Sequence, residues 1–160
     1  MGGYGYCLRQ AAEGDIGQLI SLLGFLFALE KDFTIDPEKQ GRGLRMLMNR
    51  EASVIQCVEV GGRIVGMCSA QCLVSTAEGG LSALVEDLVV EKVHRGKGLG
   101  AMLLSSVEAW ALRHGALRLQ LLVDRTNFNA LRFYSRMGWE ETRMVCRRKT
   151  NGRVEREQPA

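Results

Sequence analysis

The chain has 160 residues, 46% hydrophobic and 24% charged, with a formal net charge of +3. That length and balance build one globular domain with an ordinary core, and the charge is too small to imply a nucleic-acid partner. Cys7, Cys57, Cys68, Cys72 and Cys146 form an odd, scattered set without CxxC or histidine companions, so neither a disulfide framework nor a metal site is expected, only reduced thiols. Tyr6-Cys7-Leu8-Arg9 reads as a first strand, and Asp15 as the N-cap of a helix from Ile16 to about Lys31. Its apolar run, Ile20 to Leu29, falls far short of the roughly 20 residues of a membrane span, and no basic leader or cleavage site precedes it. A cytoplasmic protein with no membrane partner is expected.

After a polar connector, Pro37 breaks the chain and Glu38 to Arg50 reads as a second helix. Ser53 to Glu59 and Arg63 to Val74 read as a hairpin around Gly61-Gly62. Ala77 to Gly80 turns the chain into a central strand with the apolar run Leu84 to Val90. Leu99, Leu103, Leu104, Val107 and Trp110 recur at helical spacing, and Gly115 offers a left-handed stop. A strand from Ala116 to Val123, a helix from Asn129 to Met137 and a last strand from Glu141 to Lys149 follow. The basic cluster Arg143 to Arg148 reads as that strand's solvated face. Residues 1–150 then form the domain and 151–160 a frayed tail. The fold class is α/β (α+β), a mixed sheet flanked by helices.

The most informative stretch is Arg95-Gly96-Lys97-Gly98-Leu99-Gly100-Ala101, between the central strand and a helix start. Unpaired first-turn amides, a positive helix end and glycines that let the backbone close on an anion make such a place bind phosphate. A Walker loop is ruled out because Gly98, not a hydroxyl residue, follows Gly96-Lys97. A dinucleotide fingerprint is formally met by Gly96, Gly98 and Ala101, with Asp124 as the ribose acid. The polar link Glu91 to Arg95 nevertheless separates the first glycine from its strand, which weakens that reading.

The chain resembles the GNAT superfamily of acyl-CoA-dependent N-acetyltransferases from about Leu8 to Arg148. Arg95, Gly98 and Gly100 match its Arg/Gln-x-x-Gly-x-Gly/Ala loop. Asn127-Phe128-Asn129-Ala130-Leu131-Arg132-Phe133-Tyr134, followed by Gly138-Trp139, is similar to its Asn-x-x-Ala-x-x-hydrophobic-Tyr helix and Gly-aromatic turn. Lys92 stands where a proline is often found. The resemblance implies a mostly antiparallel sheet with helices on both faces, whose fourth and fifth strands splay to admit the pantetheine arm of acetyl-CoA. The diphosphate would sit on residues 95 to 101, while Leu88 and Val90 pair with the arm and Asn127 holds CoA or caps its helix. It also implies a homodimer.

Acetyl transfer from a thioester to an amine needs a neutral amine, a polarised carbonyl and an exit for the thiolate. Glu86 is the candidate base, directly or through water, because alternation places it with Leu84, Leu88 and Val90, where a carboxylate is costly to bury unless paired or hydrated. The segment Val85-Glu86-Asp87-Leu88 is similar to the Glu-Asp strand of polyamine and thialysine acetyltransferases, which supports Glu86; Asp87 is expected on the other face with a structural role. Tyr134 would act toward the departing sulfur. With a phenol pKa near 10 and a thiol near 8.5, full proton transfer is uphill by roughly 2 kcal/mol, so a strong hydrogen bond is the expected contribution. A backbone N–H of Val89 or Val90 would polarise the carbonyl. His94 and His114 are set aside as bases, one in the loop and one at a helix end. Glu30, Asp32, Asp36 and Glu38 put acid near the expected entrance, which favours a small cationic amine. A noncatalytic acyl-CoA sensor and a protein or antibiotic amine acetyltransferase are the alternatives.

Overall fold

The computed structural model describes residues 5–29 and 33–149. Its centre is a five-stranded sheet in the order β1-β2-β3-β4-β5, formed by Cys7–Gln10, Ser53–Val60, Arg63–Ser75, Gly80–Val90 and Ala116–Leu121. Strands β1 to β4 pair antiparallel, and β5 joins β4 in parallel. A parallel neighbour needs a crossover, here helix α3 (Leu99–Arg113). Helices α1 (Ile16–Phe27) and α2 (Pro37–Met48) cover the other face, and α4 (Phe128–Arg136) follows β5. Alternation along β2 divides the apolar residues between two cores: Val54 and Val58 face α3, whereas Ile55 and Cys57 face α1 and α2.

Local chemistry accounts for most element ends. Pro37 is the first residue of α2, with Asp36 capping it by accepting from the Lys39 amide at 3.1 Å. Gly61 and Gly62 both take positive φ in the β2–β3 turn, and Gly115 at φ 80° follows α3. Asp15 does not cap α1 as expected. It closes a short 3-10 turn, accepting from the Ala12 amide at 2.7 Å and from Arg9. Helix α1 ends at Phe27, with Ala28 as its C-cap, short of the Lys31 expected, and the tail beyond Lys149 lies outside the described residues.

The strand expected over Glu141 to Lys149 is absent. These residues are exposed and pair with no strand among the described residues, and Met144 and Val145 stand in solvent with the arginines. Strand-like composition does not make a strand without a neighbouring backbone to complete the ladder.

One break in alternation positions the site. Met67 pairs with Val89 and Ser69 with Glu86, so Asp87 and Leu88 together oppose Cys68, a bulge in β4. Asp87 takes the left-handed conformation (φ 55°), which aspartate tolerates better than most residues. Ser69 Oγ lies 3.2 Å from both the Glu86 carbonyl and an Asp87 carboxylate oxygen. The extra residue reverses the side-chain parity. Ala83, Val85, Leu88 and Val90 all pack toward α3, while Val89 turns toward α1. Glu86 therefore does not share a face with Leu88 and Val90, as strict alternation would have it.

Candidate active site

The ladder between β4 and β5 runs from Leu81–Ala116 to Val85–Leu121 and stops. Strand β4 continues to Val90, so residues 86–90 have no strand on that side among the described residues, and a cleft of about 890 Å³ opens between the diverging ends. Leu88, Val89 and Val90 line one wall. Arg95, Gly96, Gly98, Leu99, Gly100 and Ala101 line the end, and Asn127, Phe133 and Tyr134 the wall opposite. The two stretches singled out in the sequence, 32 residues apart at Arg95 and Asn127, thus meet across one opening.

At the closed end, Gly98 takes φ 80° as the residue before α3, and helical hydrogen bonding begins with Met102 N–H to Gly98 C=O at 3.0 Å. The amides of residues 99–101 are left to an outside acceptor, and the helix dipole adds positive potential there. Arg95 Nε donates to the Val90 carbonyl at 2.8 Å, which ties the loop to the strand end and holds the guanidinium beside the amides. Gly100 faces α4, where a Cβ would make ordinary contact with the Phe133 ring at 3.7 Å.

Tyr134 is half-buried, with ring centroids of Phe133 and Trp139 at 5.3 and 6.1 Å. Trp139 Nε1 donates to Glu108 at 2.7 Å, which pins the end of α4 to α3. Asn127 caps α4, accepting from the Ala130 amide at 3.1 Å. Asp124 folds into its own turn, accepting from the Thr126 amide and hydroxyl at 2.7 and 2.8 Å, so it serves the loop before α4.

Two expectations for individual residues change. Glu86 lines the cleft but is exposed, not buried, with Gln71 Nε2 at 3.3 Å from its carboxylate. Lys97 does not line the cleft; its ammonium turns to Tyr6. Other lining residues escaped the sequence reading. The bulge swings Asp87 into the cleft beside Glu86, and Leu26 and Leu29 reach it from α1 and just beyond. Only the parity shift and the packing of α1 reveal them, neither of which has a local sequence signal. Among the acidic residues expected at the entrance, Asp36 is the α2 cap and Glu38 is exposed in its first turn, whereas Glu30 and Asp32 lie outside the described residues.

No helix among the described residues is long and apolar enough to cross a membrane, and no cluster of His, Cys, Asp and Glu there is arranged to hold a metal ion. The five cysteines are free thiols. Burial pushes the Cys57 thiol up to about 11, and Cys68 is raised by burial as well.

Comparison with known proteins agrees with this geometry. An uncharacterized N-acetyltransferase of Methanocaldococcus jannaschii is 26% identical over 142 residues, which cover 88% of this chain and 63% of that relative. This chain thus spans less than two thirds of that relative's length. The fold matches a transcriptional regulator from Bacillus halodurans C-125 (TM-score 0.81, 23% identity, 91% of this chain and 100% of that one). It also matches an aminoglycoside N-acetyltransferase in complex with CoA (TM-score 0.81, 15% identity, 94% and 98%). Residues 25–139 match the Acetyltransferase (GNAT) family, and the chain belongs to that family.

Proposed function

We propose that the protein transfers the acetyl group of acetyl-CoA to the primary amine of a small cationic molecule, by direct attack in a ternary complex. The observation that carries this reading is the open edge of β4 over residues 86–90, next to a helix N-terminus with unpaired amides. An extended pantetheine arm pairs with such an edge as an added strand does, through Leu88 and Val90, while the diphosphate takes the amides beside Arg95. Asn127 supports this from the opposite wall by fixing the start of α4.

The thioester then lies between β4 and Tyr134. A backbone N–H of Val89 or Val90 polarises the carbonyl in the transition state. An alkylamine has a pKa near 10.4, so less than about one molecule in a thousand is neutral near pH 7 and a base is needed. Glu86 takes that proton, directly or through water. As the C–N bond forms and the C–S bond breaks, Tyr134 O–H donates a hydrogen bond to the departing thiolate. Glu86 and Asp87 together set a negative patch on the cleft wall, which favours a cationic acceptor, and Leu26 and Leu29 suit an aliphatic stem. A homodimer is the assembly that the family resemblance suggests.

The test is CoA release, followed with a thiol reagent, from acetyl-CoA and a panel of polyamines, lysine-like compounds, aminoglycosides and peptides. Turnover is expected with the small cationic amines, giving an acetylated product by mass spectrometry. Tight acetyl-CoA binding without turnover on any amine would replace this reading with an acyl-CoA sensor, a possibility to which the fold likeness to a transcriptional regulator lends weight.

A further inference from the structure

We propose that Tyr6, just upstream of β1, is a positioning residue that clamps the phosphate-binding loop from both sides through His94 and Lys97. Its hydroxyl lies 3.0 Å from His94 Nδ1 and 3.1 Å from Lys97 Nζ, contacts that reach 88 and 91 residues along the chain. Donor and acceptor chemistry orients them. An ammonium can only donate, so the phenol oxygen accepts from Lys97 and shares a second hydrogen bond with His94 Nδ1. On the other side of the ring, His94 Nε2 faces Glu91 Oε2 at 3.9 Å. Glu91 is in turn held by Arg63 at 2.5 Å. The Tyr6 ring packs half-buried against the α3-side core, with the His94 ring edge-on at 5.8 Å and the Lys97 ammonium 5.8 Å from its centroid.

The clamp answers a need that the loop itself creates. Gly96 and Gly98 take φ of 76° and 80°, and a Cβ at either would meet nothing within 4 Å, so beyond the Arg95–Val90 tie no packing at the glycines themselves steadies the backbone that aims the amides. Residues 94 and 97 bracket Arg95-Gly96, and one phenol holds both. It also explains why the long Lys97 side chain does not line the cleft. The inference rests on CoA diphosphate binding at this loop.

The test is Tyr6→Phe, which keeps the ring and removes the hydroxyl. CoA affinity is measured by calorimetry, and backbone order parameters of the free protein by ¹⁵N relaxation. Removing two hydrogen bonds of ordinary strength is expected to raise the Kd for CoA about tenfold. The amides of Gly96 and Gly98 gain nanosecond motion, while those of Leu103 to Ala111 in α3 do not change. Unaltered CoA affinity and loop motion in the variant would overturn the clamp, as would loosening of α3 together with the loop, which marks a general packing defect. Wild-type protein that binds CoA no better than its dephosphorylated pantetheine fragment overturns the diphosphate reading itself, and with it the clamp, without reference to the variant.

Discussion

Tyr134 and Asp15 illustrate how differently two polar residues of this chain act. Tyr134 stands in the cleft wall with its ring packed against Phe133 and Trp139, contacts that a phenylalanine keeps, so Tyr134→Phe is expected to leave the fold and CoA affinity intact. If it donates to the leaving thiolate, kcat falls about 100-fold, the low end for a positioned acid. Steady-state kinetics with saturating acetyl-CoA, beside a CoA titration, separates the two effects. Asp15 instead ties β1 to the turn before α1. Arg9 forms a fork on it, with N···O distances of 2.7 and 3.0 Å, while also reaching Glu59. The Arg9 hydrogen bonds, helped by the Ala12 amide, hold the Asp15 carboxyl below its ordinary 3.8 against the opposing effect of burial. A depressed carboxyl pKa contributes stability that is present above the unfolded value and lost as the pH falls through the folded one. Asp15→Asn is therefore expected to lower stability at pH 7 by about 2 kcal/mol, the scale of a charge-assisted hydrogen bond. Urea titrations below pH 4 should show the two proteins converging.

At the scale of elements, the fit of α3 on β3 and β4 decides whether the cleft keeps its shape. Gly66 pairs with Val58 on one side and Val90 on the other, in the middle of the sheet. A Cβ there would meet Leu103 Cδ1 at 3.1 Å, the Val89 carbonyl oxygen at 3.1 Å and Val90 Cγ2 at 3.2 Å. The carbonyl cannot swing away without breaking the ladder, so the methyl pushes α3 outward. Gly66→Ala is expected to destabilise the protein by about 2 kcal/mol, as overpacked cores do, and to weaken CoA binding because Val89 and Val90 line the cleft. Chemical denaturation and calorimetry check the pair. The bulge in β4 belongs to this scale too: one extra residue turns Leu88 toward α3 and brings Asp87 into the cleft beside Glu86.

Across the whole molecule, burial and strand pairing among the described residues fall away from the centre of the sheet. Val65, Met67, Cys68 and Ala70 on β3 are buried to 1% exposure or less, with a strand on either side. Strand β5 pairs only with β4 among the described strands, and residues 141–149 pair with none. Amide hydrogen exchange is therefore expected to be slowest in β3 and fast throughout 141–149, where opening needs no loss of a ladder. Mass spectrometry of exchanged peptides reads this directly. Protection over 141–149 that grows with protein concentration would instead report pairing with a second copy.

By itself the sequence determined whatever depends on neighbours along the chain. The helical repeat from Leu99 to Trp110, the Gly61-Gly62 hairpin, the glycine stop at Gly115 and the loop from Arg95 to Ala101 are short-range patterns with short-range causes. They were enough to read the layered architecture and most of the cleft. The tertiary structure alone decided three things: that Asp87 enters the cleft, that Glu141 to Lys149 forms no strand, and that Lys97 turns to Tyr6. Each depends on a backbone or side chain far away in sequence, the bulge opposite Cys68, a partner strand, a phenol 91 residues upstream. Periodicity describes one element at a time; which elements lie side by side, and in what register, is settled only when the sheet closes on its two cores.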